Sequence, residues 1–165
     1  MRSFVHAGYL AMMLASAANA DAPEGIAVPG SSTIAVLQAE GEQIYECQVG
    51  ANGSLSWQFR EPVAVLLENG KVVGRHFVGP TWTLEDGSVL VAKVTGRAAA
   101  ATAKDIPLLR LEVVSRSGSG RLDPAIAIQR LNTQGGTLAG SCEQAGGKVG
   151  VPYTADYAFL KALPR

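Results

Sequence analysis

After residue 32 the chain is built from short runs in which apolar and polar residues alternate, each run bounded by Gly, Pro, Asn or Asp. A period of two places successive side chains on opposite faces of a pleated strand. In Gln43–Val49, Ile44, Glu46 and Gln48 share one face and Tyr45, Cys47 and Val49 the other. The second face is the more apolar and is expected to point inward. Thr33–Gln38 precedes it, with Ala39-Glu40-Gly41-Glu42 as an interruption between the two runs. Leu55, Trp57 and Phe59 share a face of the next run, and Val63–Leu67 follows Pro62. Asn69-Gly70 then separates Val63–Leu67 from Lys71–Phe77. That dipeptide tolerates positive φ at both central positions of a tight turn, so it predicts a β-hairpin.

Gly79-Pro80 turns the chain again before Thr81–Leu84, and Asp86-Gly87 before Ser88–Thr95. In the latter run Val89, Val91 and Lys93 alternate against Leu90, Ala92 and Val94. Leu108–Val114 is strongly apolar, Ile126–Asn132 places Ile126, Ile128 and Arg130 on one face, and Val151–Ala162 ends the fold. Arg97–Lys104 has helix propensity but no amphipathic pattern, which predicts a loop or a single turn. Gln134–Gly150, rich in Gly and polar residues, reads as a long loop. The outcome is an all-β chain of about nine or ten short strands with turns every 8–12 residues, the pattern of a single-domain antiparallel β-sandwich or closed β-barrel.

The N-terminus follows a different pattern. Arg2, an apolar run from Phe4 to Ala18 and the small residues of Ala18-Asn19-Ala20 have the form of a cleaved signal peptide. The expected organisation is a signal peptide over residues 1–20, an extended leader over 21–32 and one β domain over 33–165, in a periplasmic or secreted protein. No later stretch is long and apolar enough for a membrane span. Fourteen basic residues balance fourteen acidic ones with no basic run, so nucleic acid is not an expected partner. The two cysteines, Cys47 and Cys142, allow one pairing in an oxidising compartment and are expected to form a disulfide.

Candidate chemistry centres on Arg75–Ser88, which joins His76, Trp82, Asp86 and Ser88 through two turns. His76 is the only histidine beyond the signal segment. It is a candidate general base, with Asp86 and Ser88 as candidate triad partners, because imidazole titrates nearest neutral pH. No G-x-S-x-G pattern surrounds Ser88, and Asp-Gly-Ser equally suits a tight turn. The competing reading is a histidine hydrogen-bonded to a neighbouring strand or loop. Glu85, Asp86 and Asp156 are the carboxylates available for a glycosidase pair, though turn and ion-pair roles account for each. Arg130, on the apolar face of its run, needs a partner if it points inward, and Asp156 or Asp86 is the expected one. One histidine and a paired set of cysteines leave no metal-ligand set, and no motif calls for a cofactor. Tyr45, Trp57, Trp82, Tyr153 and Tyr157 are either core rings or the wall of a cleft.

Taken together, several motifs resemble one family. They are Tyr45-x-Cys47, Trp57, His76-Phe77-x-Gly79-Pro80-Thr81-Trp82, Asp86-Gly87-Ser88, Ile106-Pro107, Gln129-Arg130-x-Asn132-Thr133-x-Gly135-Gly136, Cys142 and Val151-Pro152-Tyr153-x-Ala155-Asp156-Tyr157. In that order they resemble the exported domain-of-unknown-function 3455 family of bacteria and fungi, over nearly the whole mature chain. Leu108 and Ala158 depart from the pattern, standing where the family tends to carry aromatics. The resemblance implies the fold and the compartment and assigns no activity.

Three functions follow as expectations. The first is a non-enzymatic binding module for a small ligand, glycan or protein, using His76, Trp82, Tyr153 and Arg130. The second is a hydrolase with His76 as general base. The third is a protein-inhibitor module, presenting Ser115–Arg121 or Thr137–Gly147 as a loop.

Overall fold

The first and last strands of the chain pair with each other, and that closes the fold. In a computed structural model that describes residues 22–164, the strands are β1 (Ser31–Val49), β2 (Leu55–Glu68), β3 (Lys71–Phe77), β4 (Thr81–Leu84), β5 (Val89–Ala98), β6 (Leu108–Ser117), β7 (Ala127–Gly135) and β8 (Lys148–Ala162). Each pairs antiparallel with the next in sequence, and β1 also pairs with β8 from Ser31↔Ala162 to Glu46↔Lys148. The result is an up-and-down closed barrel, which has no free sheet edge. The expected signal peptide over 1–20 lies outside the described residues. Among those residues no helix is long and apolar enough to cross a membrane.

Eight strands replace the expected nine or ten because two expected breaks are strand interiors. Gly41 lies within β1, paired with Ala64 and Tyr153, and Pro62 lies within β2, opposite Gln43. Closing a small barrel requires strands to bend and coil, and Gly kinks and bulges supply the bend without ending the pairing. A register shift between Ile44 and Tyr45 marks such a bulge one turn of the pleat beyond. The hairpin at Asn69-Gly70 forms as expected, with φ of 51° and 75° at the two turn residues. Arg97–Lys104 contains no helix and runs from the last residues of β5 into the β5–β6 loop.

The inward face of β1 starts at Leu37 and continues through Ala39, Gln43, Tyr45 and Cys47, while Val49 is exposed beyond the barrel. Facing strands contribute Leu66, Trp82, Leu84, Leu90, Leu111, Ile128, Tyr157 and Phe159. Small and large residues alternate around the girth: Gly41 and Ala64 stand beside His76 and Trp82, the latter pair directly cross-strand. The topology gives the barrel two distinct ends. One end, the base, is plugged by Leu122 and Ala125 of the β6–β7 loop, both fully buried in the main apolar cluster. The other end carries the β1–β2, β3–β4, β5–β6 and β7–β8 connections.

The long β7–β8 loop at this second end is tied down rather than free. Cys142 bridges to Cys47 with Cα atoms 5.9 Å apart. The backbone of the loop also bonds β1 and β2 through Trp57 N to Gly140 O and Gly146 N to Cys47 O. The leader is likewise stitched on. Ile26 is fully buried, and its carbonyl accepts from Gln129 Nε2 at 2.7 Å while Ala27 O accepts from Arg110 at 3.1 Å.

Candidate functional site

The turn at Gly79-Pro80 gives β3 and β4 the register His76↔Trp82 and Phe77↔Thr81. Directly opposed residues on antiparallel strands share a face. The imidazole and indole therefore lie side by side inside the barrel, stacked with centroids 4.3 Å apart and planes 12° from parallel. Tyr157 of β8 meets both edge-on, at 4.9 Å from His76 and 5.4 Å from Trp82. Phe159 backs Trp82 at 6.4 Å on the side of the base.

His76 is 3% exposed, and its Nδ1–H donates to the Thr81 carbonyl at 2.9 Å. A carbonyl can only accept, so that bond sets the tautomer and leaves Nε2 as an acceptor. Burial holds the His76 pKa down to about 4, against the upward pull of the Thr81 bond and with a further lowering from the Arg130 charge. The imidazole is neutral at physiological pH.

Arg130 does point inward from β7, but neither expected carboxylate reaches it. Arg130 is 8% exposed as a residue, and its guanidinium donates from Nε and Nη2 to the Pro107 carbonyl at 3.0 and 2.8 Å. Asp156 lies on the outer face of β8 and accepts from Asn132 Nδ2 at 2.7 Å. Asp86 sits at the base, accepting from the backbone N–H of Ser88 at 2.9 Å and of Arg121 at 3.0 Å. The physical reason is topological. The β4–β5 turn carrying Asp86 and the β3–β4 turn next to His76 fall at opposite ends of the meander. The same geometry separates Ser88 from His76. The Ser88 hydroxyl is buried and accepts from Leu122 N at 3.1 Å, a structural clasp on the plug. Arg121 and Glu68 pair at 2.9 Å, so Ser115–Arg121 is anchored as well. Neither loop considered for an inhibitor stands free of the barrel.

Above the His76–Trp82 stack the barrel is not filled. A cavity of about 550 Å³ occupies the end opposite the plug, with Gln43, His76, Trp82, Arg130 and Tyr157 toward the interior. Phe59, Val78 and Val94 form an apolar lip that is 53%, 54% and 38% exposed. Among the described residues no Ser, Thr, Cys, Asp or Glu lines it. Gln43 Nε2, Trp82 Nε1 and the Tyr157 hydroxyl are buried without a hydrogen-bond partner among the described residues. Buried polar atoms are nearly always satisfied, so three such atoms around one cavity call for an explanation. The Tyr157 hydroxyl lies near the Tyr153 hydroxyl and the Arg130 guanidinium, and Gln43 near the Tyr153 hydroxyl, close enough to affect ionisation, yet none of these approaches is a formed hydrogen bond. Burial raises the pKa of both phenols, so both stay protonated.

Of the residues singled out from the sequence, His76, Trp82 and Arg130 meet at this cavity, and Tyr153 lies behind Tyr157 without lining it. Tyr45 and Tyr157, also named from the sequence as possible cleft rings, line it too, and Gln43 and the Pro107 carbonyl complete the site. Gln43 had a readable signal, since it shares strand parity with inward-facing Tyr45 and Cys47. The Pro107 carbonyl had none, because it depends on how the β5–β6 loop folds over the end of the barrel.

The fold and site define a closed eight-stranded antiparallel barrel with a cavity in one mouth. The chain belongs to the family described as "Protein of unknown function (DUF3455)", whose pattern matches residues 28–161, from the leader through β8. No curated protein and no solved structure matches it.

Proposed function

We propose that the protein is a non-enzymatic binding barrel that takes one small molecule into the mouth bounded by Phe59, Val78 and Val94. The observation that carries this reading is the cavity itself, three of whose lining residues carry buried polar atoms left unpartnered. An eight-stranded barrel has an interior that is either filled by side chains or holds one small ligand. This barrel is filled at the base and hollow at the mouth. The volume falls within the roughly 300–1,000 Å³ of small-molecule sites and suits a single compact ligand better than a glycan chain or a protein segment. The lining offers no nucleophile and no acid beside neutral His76, which favours binding over hydrolysis. The Cys47–Cys142 bridge is compatible with work in the periplasm or outside the cell.

The test is calorimetric titration with a flat two-ring probe pair, 2-naphthoate and its neutral amide, against wild type and Val94→Trp. Val94 sits on the lip, so an indole there fills the mouth without disturbing the plugged core. At least one probe should saturate a single site in wild type and bind about tenfold or more weakly in Val94→Trp, with the thermal midpoint unchanged. Failure of both probes to saturate, or indifference to Val94→Trp, overturns the reading.

A further inference from the structure

We infer that the ligand of this cavity carries an anionic head, an organic acid whose carboxylate sits on Arg130 and whose apolar body lies toward the lip. This rests on the binding-barrel reading and adds the chemical class of the ligand.

Arg130 is a cation more than nine-tenths buried, in a site with no carboxylate to neutralise it. Among the described residues the only group hydrogen-bonded to its guanidinium is the neutral Pro107 carbonyl, which engages Nε and Nη2. An ionised group taken out of water is strongly disfavoured unless it is paired. A core that needed only shape at this position would use a long apolar residue such as methionine.

Beside Arg130 most of the unpartnered groups are donors, with the acceptor Nε2 of His76 as the exception. Gln43 Nε2, Trp82 Nε1 and the protonated Tyr157 hydroxyl are all able to donate, and none forms a hydrogen bond among the described residues, the nearby Tyr153 hydroxyl included. Four residues able to donate, one of them charged, line a cavity that has no acid in its lining among the described residues, which matches the acceptor-only character of a carboxylate.

The rim repeats the sign. Arg97 lines the mouth and forms no ion pair among the described residues, whereas Arg60 is already paired with Glu46 and Glu61. An inorganic anion would use the donors and leave the apolar lip without purpose. Phe59, Val78 and Val94, all exposed, are accounted for by a ligand with a flat or aliphatic body.

The neutral amide of 2-naphthoic acid keeps the body and removes the charge, so the probe pair isolates the head group. In wild type, 2-naphthoate should bind at least about tenfold tighter than 2-naphthamide, the scale of a charge-assisted hydrogen bond. Arg130→Met, matched in length and uncharged, should bring the acid down to the amide's affinity and leave the amide unchanged. Arg130→Lys keeps the charge without the planar fork and should retain part of the preference.

Equal wild-type affinities for acid and amide, both weakened by Val94→Trp, would overturn the anionic head and leave the binding barrel standing. A preference that survives in Arg130→Met would also overturn it. If neither probe binds, both readings fall. Should Arg130→Met fail to fold, the wild-type ratio and Arg130→Lys decide alone.

Discussion

Replacing Gly41 with valine is expected to lower the unfolding free energy by about 3 kcal/mol, the upper range for forcing atoms into a packed interior. β1 crosses β2 so closely at this point that a Cβ on Gly41 would overlap the Val63 carbonyl oxygen and the Cα and Cβ of Ala64. Two of those three atoms are backbone, so no rotamer change relieves the overlap and the strands must part. They cannot part locally at little cost, because β1 is paired on both edges here, with Ala64 on one side and Tyr153 on the other. Glu40, the exposed neighbour on the same strand, serves as the control. Glu40→Val should shift stability by no more than about 0.5 kcal/mol. Urea unfolding followed by circular dichroism reads both. Equal midpoints for the two variants would mean that the β1–β2 crossing is looser than described.

Acidification is the second large effect. The His76 pKa is about 4 in the folded protein and 6.5 when free in an unfolded chain. Between those values the unfolded state binds a proton that the folded state does not, so stability rises with pH across this window. Lowering pH from about 6.5 to about 4 should therefore remove about 3 kcal/mol, and below that His76 contributes no further change. Among the described residues no acid contributes to the pKa shift of His76. Its neighbours are Trp82, Tyr157 and the positively charged Arg130. The low-lying carboxylates act elsewhere on the scale. Asp86 and Asp105 have pKa values held below the ordinary 3.8 by hydrogen bonds, so their stabilisation is present above that value and is lost only as pH falls beneath it. His76→Phe, which keeps a ring against Trp82, should flatten the profile between about pH 4 and 6.5. A wild-type profile already flat there, or an unchanged slope in His76→Phe, would contradict the buried neutral imidazole.

Local chemistry was the legible part of this fold. Asn69-Gly70 announces its hairpin because only a few residue types accept positive φ twice in succession, and the structure places both there. Strand parity put Leu90 with Ala92 and Ile128 with Arg130 on shared faces, which the structure turns inward, and the cysteine pairing followed from having only two. What parity could not supply was closure. Gly41 and Pro62 look like punctuation in one dimension, yet in a barrel they are the points where a continuous strand bends. The partner of Arg130 was misread for a related reason. Asp86 is near His76 in sequence, but one further strand of a meander carries a turn to the far end, where Asp86 clasps the β6–β7 loop. Asp156 follows Ala155 on β8 and so faces outward when Tyr157 faces in. Distances between sequence neighbours invert at each turn of an up-and-down barrel. The mouth, assembled from β1, β2, β3, β4, β5, β6, β7, β8 and the Ile106-Pro107 segment, is the least local feature of all.

The base of this barrel is spent on stability and its mouth is open to chemistry, with the stacked His76–Trp82 pair dividing the two. Trp82 is therefore a reporter built into the floor of the site. The chain has two tryptophans, and Trp57 does not line the cavity. A proton–nitrogen correlation spectrum of labelled protein should show two indole N–H signals, assigned by substituting Trp57. Titration with 2-naphthoate should move the Trp82 signal along a saturable curve while Trp57 stays in place. If Trp82 remains fixed at millimolar probe, or if Trp57 moves in its stead, small molecules do not enter this mouth.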